Sequence, residues 1–362
     1  MIFKFGLIRV LESVETKLYL SGSAEELGAW DPDRAVLLHR ISDGPVEEPA
    51  FWCTEVDIPS PKSFSYKFLL RFADGRLQWE GSGEEDNRRF DGSVLDDGHE
   101  THYMPPAYWI GSRVLGIHEA ELLKFFGRLV TDKGIHFSKL DNNVWVGSCP
   151  RQFYHVAVLK SLGVDVVFCL QTENDIFEHS RLALPAGPSD RNVVLDLMTQ
   201  YQHNGIEFVW MPIQDLSSAH RRILLPQALY LLQSLVSNRH RVYVHCNAGI
   251  GRAASLAVAY LIHAKRMSTR EAEYTLLSKR PVVYIDEDSL TGKIRQPCQI
   301  TSNARLFVLI VVAVAAAAAA VVVVVDVDVD VLDFVQILST AGWRGSKIFQ
   351  TFWTVAFTLR RG

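Results

Sequence analysis

Apolar and polar positions alternate in short runs through the first part of the chain. The runs are FKFGLIRV, KLYLSGS, FWCTEVDI, FSYKFLLRF and GRLQWEG, and Gly, Pro, Asp and Ser separate them. A period of two is typical of a strand with one buried face, and many such runs joined by turns are typical of a β-sandwich. The pattern predicts an all-β module over residues 1–105.

The pattern changes after Pro105 and Pro106. From Phe137 onwards, the apolar runs VWVGS, DVVFCLQ, FVWMPI and RVYVHC alternate with amphipathic stretches. Such alternation predicts strands connected by helices, as in an α/β domain. We therefore expect a multidomain α+β protein, with a connecting segment over 106–136 and an α/β domain over 137–292.

The remaining segment, 293–362, differs in kind. Residues 306–325 form an uncharged apolar run after Arg305, and a strict Val–Asp alternation follows. The length is sufficient for a transmembrane helix. Homopolymers of Ala and Val that lead into a simple repeat are also typical of low-complexity sequence, such as a translated repeat in a faulty gene model. We favour the second interpretation.

Composition and charge narrow the classes of function. The chain has 362 residues, a net charge of −4 and no long Lys/Arg block, so nothing indicates nucleic acid as a partner. Five scattered cysteines without a CxxC pair favour free thiols in a reducing compartment. Because Glu12 and Glu15 interrupt the apolar N-terminus, it does not resemble a signal peptide. We expect a cytoplasmic protein, or one on the endoplasmic reticulum or another internal membrane if 306–325 is a true span.

The segment RVYVHCNAGIGRAASLAVA contains the strongest chemical signal, the pattern HCxxGxxR. A cysteine between a strand and a helix faces loop N–H groups and the positive end of the helix dipole, which favour a thiolate. Glycines let the loop amides converge on one anion, and an arginine can close the cradle with a bidentate fork. A buried structural cysteine is the ordinary alternative. We predict Cys246 as nucleophile, Arg252 as its catalytic partner, and a phosphate-binding loop of His245, Asn247, Ala248, Gly249, Ile250, Gly251 and Arg252.

Two further residues near this motif have candidate roles. Adjacent residues on a strand point to opposite faces, so His245 is poorly aimed at the Cys246 sulfur and is interpreted as a hydrogen-bonding support for the loop. Asp215 follows an apolar strand and is the candidate general acid. An Asp before two serines is more often a helix N-cap, so that alternative stays open on the residues alone.

The motifs HCNAGIGR, FSKLDNNVWVGSCPRQ and MPIQD resemble the dual-specificity branch of the protein tyrosine phosphatases, over about residues 137–290. Within that branch, SCPRQ, LQTENDI and KRPVVYIDED resemble the glycogen phosphatases. SGSAEELGAWDP, SYKFLL and LQWEGSGEEDNRRF resemble the starch-binding-type module that those enzymes carry at the N-terminus. The resemblance implies a phosphocysteine mechanism with Asp215 as acid and without metal or cofactor. It implies glycogen as the main partner, with phosphoproteins, glycogen-metabolism proteins and a second copy of the chain as others.

Residues for glucan binding come from the tryptophans and from the resemblance. Trp30 and Trp79 lie in polar, loop-like contexts where an indole face can stack on a sugar ring, whereas Trp52 and Trp109 are expected in the core. Polar neighbours can bond sugar hydroxyls, and the resemblance places two more residues at the lip of the phosphate pocket. The full predicted set is Trp30, Lys67, Trp79, Gly83, Asp86, Asp175 and Tyr284.

The chain departs from the resembled family at two places. Ala253 stands directly after the loop arginine, where the family has Ser or Thr, whose hydroxyl assists release of the cysteine thiolate. The likeness also ends soon after Leu290, where a closing helix would follow. Both departures keep an alternative function open, a glycogen-targeted scaffold with weak or no phosphatase activity.

Overall fold

The computed structural model describes residues 1–11, 13–44, 48–59, 62–94, 100–110, 124–125, 127–128, 134–179, 193–290, 307–313 and 320–326. The chain divides into two compact units. The first comprises Met1–Arg128 and Met267–Val283, and the second comprises Leu129–Arg266 and the chain from Tyr284 onwards. The predicted domain boundaries at 105, 137 and 292 stay predictions.

The first unit contains a β-sandwich, as the alternation predicted. Its strands are β1 Ile2–Arg9, β2 Lys17–Gly22, β3 Val36–Leu37, β4 His39–Arg40, β5 Ala50–Asp57, β6 Phe64–Arg71, β7 Leu77–Trp79, β8 Arg88–Phe90, β9 Thr101–Tyr103 and β10 Ala107–Tyr108. One sheet has the order β10-β1-β5-β4, with β9 also paired to β1, and the other has the order β3-β2-β6-β7, with β8 paired to β6. Strand β10 extends the first sheet beyond residue 105.

The core of the sandwich follows the period of two along its strands. Alternate residues of β1 and β6 are buried together, namely Phe3, Phe5, Leu7, Phe64, Tyr66, Phe68 and Leu70. Trp109 lies in this core, and Trp52 packs against it with its indole N–H donating to the Arg9 carbonyl at 3.1 Å. The prediction that these two tryptophans are structural is confirmed.

A helix from late in the chain also belongs to the first unit. Residues Thr269–Lys279 are helical, and the hydroxyl of Tyr274 lies 3.0 Å from the Lys4 carbonyl oxygen and 2.9 Å from that of Met104. The Phe51 ring packs edge-on against Tyr274 at 5.1 Å. These contacts explain why the first unit is built from two separate stretches of chain.

The second unit contains an α/β fold, as predicted. Its strands are β11 Phe137–Lys139, β12 Val144–Gly147, β13 Val166–Cys169, β14 Glu207–Trp210 and β15 Val242–His245. Its helices are α1 Phe153–Ser161, α2 Glu173–His179, α3 Val193–His203, α4 Ser218–Ser237, α5 Arg252–Lys265 and α7 Glu287–Leu290. The label α6 denotes Thr269–Lys279, the helix of the first unit. Two further strands lie in the C-terminal segment, β16 Phe307–Ala313 and β17 Ala320–Asp326, and the sheet order is β11-β12-β15-β13-β14-β17-β16.

The central strand β15 determines where the site lies. All four of its residues are buried, and it pairs in parallel with β12 on one side and β13 on the other. The register joins His245 to both Gly147 and Cys169. The carboxyl ends of three strands therefore meet at His245, which is the edge where parallel α/β sheets bind their ligands.

The C-terminal segment corrects one expectation. Its described stretches are strands, β16 Phe307–Ala313 and β17 Ala320–Asp326, and β17 pairs in parallel with β14. A transmembrane helix over 306–325 is therefore wrong for these stretches, because β-branched valines favour extended backbone. Residues 306 and 314–319 lie outside the described residues. Among the helices that the structure describes, none combines the length and apolar character needed to cross a membrane.

Candidate active site

The predicted loop folds between the end of β15 and the start of α5. Cys246 follows the strand directly and is only 3% exposed. Gly249 has φ 70°, a left-handed conformation that glycine adopts without the steric cost paid by other residues. Helix α5 begins at Arg252, so its N-terminus with its unpaired backbone N–H groups faces the loop.

Two of the loop's carbonyl groups are held by partners outside it. The Cys246 carbonyl oxygen lies 3.1 Å from Nδ1 of His245, and the Ile250 carbonyl accepts from the Tyr284 backbone N–H at 2.9 Å. Burial lowers the pKa of His245 to about 4, so its ring is neutral at pH 7 and donates through Nδ1–H. In a trans peptide the N–H points opposite the C=O. Because each of these carbonyl groups points to a partner outside the loop, the N–H of the same peptide, that of Asn247 or Gly251, points towards the inside of the loop.

A third carbonyl is held in the same way by the SCPRQ segment. The Asn247 carbonyl accepts from the Cys149 backbone N–H at 3.0 Å and from Nη2 of Arg151 at 3.2 Å. The N–H of Ala248 is consequently turned inward as well. This accounts physically for SCPRQ, whose role the sequence pattern did not indicate.

The guanidinium of Arg252 is fixed beneath the loop with two donors left over. Its Nη1 donates to Asp175 Oδ2 at 2.7 Å and to the Ile213 carbonyl at 2.9 Å. Within the part of the chain that the structure describes, its buried Nε and Nη2 have no hydrogen-bond partner. Nη2 is 3.0 Å from Asp215 Oδ2, in a geometry that is not a hydrogen bond. Two such donors on one rigid plane suit a bidentate anion.

The charges around Arg252 keep the pair with Asp175 ionised. Burial alone would lower the pKa of Arg252, but electrostatic interactions with Cys246 and Asp215 and the hydrogen bond to Asp175 outweigh it and raise the pKa. Burial would likewise raise the pKa of Asp175, and hydrogen bonds from Arg252 and Asn247 outweigh it and lower the pKa to about 2. Asp175 thus orients Arg252, and its expected contact with substrate at the pocket lip stays a prediction.

Asp215 lies at the exposed side of the same cluster. Its side chain is 45% exposed, and Oδ2 is 3.5 Å from Asn247 Nδ2 while Oδ1 accepts from the Leu216 N–H at 3.1 Å. The N-cap of α4 is Ser217, whose hydroxyl oxygen accepts from the His220 N–H. The ordinary N-cap interpretation of Asp215 is therefore wrong, and its carboxyl group remains open to the solvent side.

Tyr284 is bonded to the loop through its backbone, and its expected contact with substrate at the pocket lip stays a prediction. Its ring is 52% exposed while its backbone is bonded to Ile250. Two residues downstream, buried Asp286 accepts from buried Arg221 through Nε at 3.1 Å and Nη2 at 2.6 Å. The sequence analysis missed this pair, because the partners are 65 residues apart and no local pattern joins them.

The glucan-binding candidates of the first unit come together around two tryptophans. The Trp30 and Trp79 rings are 6.2 Å apart with planes at 56°, and both are partly exposed. Nζ of Lys67 donates to the Gly83 carbonyl, and Asp86 accepts from the Ser82 N–H at 2.6 Å. Lys67 and Asp86 therefore shape the loop after Trp79 in this structure, and their bonds to sugar hydroxyls stay predictions.

A buried ion pair next to Trp79 was missed by the sequence analysis. Glu80 is fully buried and accepts from Nε and Nη2 of Arg88, both at 3.0 Å, and from the Phe68 N–H at 3.1 Å. A bidentate pair in this position fixes the backbone from which Trp79 projects. The spacing WExxxxxxxR gave no recognised signal for it.

Comparison with known proteins agrees with this architecture. A family model described as "Dual specificity phosphatase, catalytic domain" matches residues 144–296, and one described as "Starch binding domain" matches residues 4–93. The chain is 34% identical to laforin of Mus musculus over 317 residues, which cover 80% of this chain and 94% of that protein. It is 30% identical to the amyloplastic phosphoglucan phosphatase DSP4 of Castanea sativa over 41% of this chain and 37% of that protein.

Fold and site together define a cysteine-dependent phosphatase of the dual-specificity class, joined to a starch-binding module. The match to laforin extends through both parts and nearly the whole of that protein. The chain belongs to the laforin family.

Proposed function

We propose that this protein removes phosphate monoesters from glucose residues of glycogen or a related polyglucan. The observation that carries the proposal is the loop of Cys246: its carbonyls are hydrogen-bonded outside the loop, and Nε and Nη2 of Arg252 have no hydrogen-bond partner among the described residues. The starch-binding module with its paired tryptophans supports a glucan as the substrate, as do the phosphoglucan phosphatases among the relatives. A cytoplasmic location on glycogen follows from the proposal.

The chemistry proceeds in two balanced steps. The Cys246 thiolate attacks phosphorus, the bond to the glucosyl oxygen breaks, and Asp215 gives that oxygen its proton. Asp215, now a carboxylate, takes a proton from water, which attacks phosphorus while the S–P bond breaks and the thiolate leaves. Inorganic phosphate is released. In both transition states Arg252 and the inward amides bind the phosphoryl oxygens.

Binding and chemistry can be separated with the Trp30→Ala, Trp79→Ala double variant. Stacking on aromatic faces supplies the module's affinity, so co-sedimentation with glycogen and phosphate release from phosphorylated glycogen should both fall by at least about tenfold. Turnover of nitrophenyl phosphate should stay within about twofold, since the phosphatase site is intact. Unchanged glycogen binding would assign both tryptophans to packing. Failure of the unaltered protein to release phosphate from glycogen would overturn the glucan proposal itself.

Ala253 supports the second candidate function, a glycogen-targeted scaffold. It is fully buried in the first turn of α5, where a hydroxyl would assist departure of the thiolate. Formation of phosphocysteine should be nearly normal and its hydrolysis slow. Rapid mixing with an aryl phosphate should therefore show a burst of about one phenol equivalent per site, followed by slow turnover.

Ala253→Ser should raise the steady rate by up to about a hundredfold without changing the burst, comparable to restoring a single oxyanion donor. Ala254→Ser is the matched control, because Ala254 is equally buried and one residue, about 100° of helical turn, further on. Absence of a burst together with no gain in Ala253→Ser would favour the scaffold.

A further inference from the structure

One peptide group connects the arginine of the site to a histidine outside it. The carbonyl of Ile213 accepts from Nη1 of Arg252 at 2.9 Å. The N–H of the same peptide belongs to Gln214 and donates to Nδ1 of His220 at 2.8 Å. Because a trans peptide is rigid and its two polar groups point in opposite directions, His220 and Arg252 hold it from opposite ends. The next residue in the chain is Asp215.

His220 is itself held at the start of helix α4. Its backbone N–H donates to the hydroxyl of the N-cap Ser217 at 3.2 Å, and it is the third residue of the helix. From there its ring reaches back along the chain to Gln214. His220 thus connects the two ends of the segment that contains Asp215: its ring accepts from the Gln214 N–H, and its backbone N–H donates to the Ser217 hydroxyl.

The side chains of the segment lie at the surface once the chain has passed buried Ile213. Gln214, Asp215 and Leu216 are all exposed, and Leu216 is 94% exposed with φ 53°, a left-handed conformation unfavourable for leucine. Apolar burial therefore fixes the chain as far as Ile213 and does not extend to the side chains of Gln214, Asp215 and Leu216. The Asp215 carboxyl group itself lies 3.0 Å from Arg252 Nη2 and accepts from the Leu216 N–H, whereas the hydrogen bond from Gln214 to His220 constrains the backbone immediately before it.

We infer that His220 is a positioning residue for the general acid: as a hydrogen-bond acceptor it fixes the peptide before Asp215 and the carbonyl that binds Arg252. The inference rests on the proposed role of Asp215. His220 need not touch substrate, and its contribution requires an acceptor atom at the position of Nδ1. It predicts a defect specific to leaving groups that must be protonated.

The test compares His220→Leu with His220→Asn. Asn places its Oδ1 at the same distance along the side chain as Nδ1 and keeps an acceptor, while Leu has the same branching without one. Turnover is measured over a series of aryl phosphates with leaving groups of increasing pKa. His220→Leu should lose about tenfold or more with the poorest leaving group and less than about twofold with nitrophenyl phosphate, a fraction of the full effect of a general acid. His220→Asn should restore the poorest substrate to within about threefold.

The ratio of two rates on one preparation does not depend on the fraction folded, so a destabilised variant still gives an answer. Equal losses over the whole series, no loss in His220→Leu, or no recovery in His220→Asn would each overturn the inference. Asp215→Asn in the same series separates the two hypotheses. If it leaves the leaving-group dependence unchanged, the acid assignment fails; if it steepens the dependence while His220→Leu does not, only the inference about His220 fails. The series contains no glucan and is independent of the proposed substrate.

Discussion

Cys246→Ser should abolish phosphate release, with a loss of at least about 10⁴-fold on every substrate, as expected for removal of a nucleophile. A serine hydroxyl is not ionised at neutral pH and would need a base. The adjacent His245 cannot serve, because its Nδ1 is bonded to the Cys246 carbonyl and its ring is on the buried side of the loop. The Arg252 donors and the loop amides do not depend on the sulfur, so phosphate should still bind.

The measurement is steady-state phosphate release from both nitrophenyl phosphate and phosphorylated glycogen, with binding of glycogen followed separately. Cys53→Ser is the matched control, since Cys53 is another buried free thiol and lies in the β-sandwich. It should retain full activity per folded molecule. More than about one per cent residual activity in Cys246→Ser would point to a different nucleophile, given the size of the loss expected.

Asp215→Ala should have the next largest effect, and the effect should depend on the leaving group. A glucosyl alkoxide needs a proton as it departs, so turnover of phosphorylated glycogen should fall by about 10²–10³-fold, within the range of general acid catalysis. Nitrophenolate leaves without that help, and its loss should be less than about tenfold.

Asp215→Asn separates loss of the proton donor from loss of the side chain's size and hydrogen bonds, because asparagine keeps the latter and cannot act as an acid. Its amide oxygen can still accept from the Leu216 N–H, as Oδ1 of Asp215 does in the structure. The asparagine variant should therefore be as impaired on glycogen as the alanine variant. Equal losses on glycogen and nitrophenyl phosphate, or near-normal activity of Asp215→Asn, would exclude Asp215 as the acid.

The alternation of apolar and polar residues was sufficient to predict the main strands of both units. The run FKFGLIRV overlaps β1 in all but its last residue, and RVYVHC contains β15. The conformation of the loop after Cys246 was equally predictable, because its strand, glycines, arginine and helix are contiguous in the chain. These features are local: residue type and spacing over a few positions determine the backbone conformation and which face is buried.

Contacts between distant segments were decided only by the tertiary structure. Asp175 meets Arg252 across 77 residues, and Tyr274 meets the Met104 carbonyl across 170 residues. The described residues of the apolar C-terminal run form strands, of which β17 pairs with β14, although the length of the run alone had allowed a membrane helix. The pattern of apolar residues shows that one face of an element will be buried. It does not show which segment packs against that face, because this depends on strand order and on which strand ends meet. For that reason the candidate nucleophile could be located from the sequence, whereas the groups that contact Arg252 and the segment of Asp215 could not.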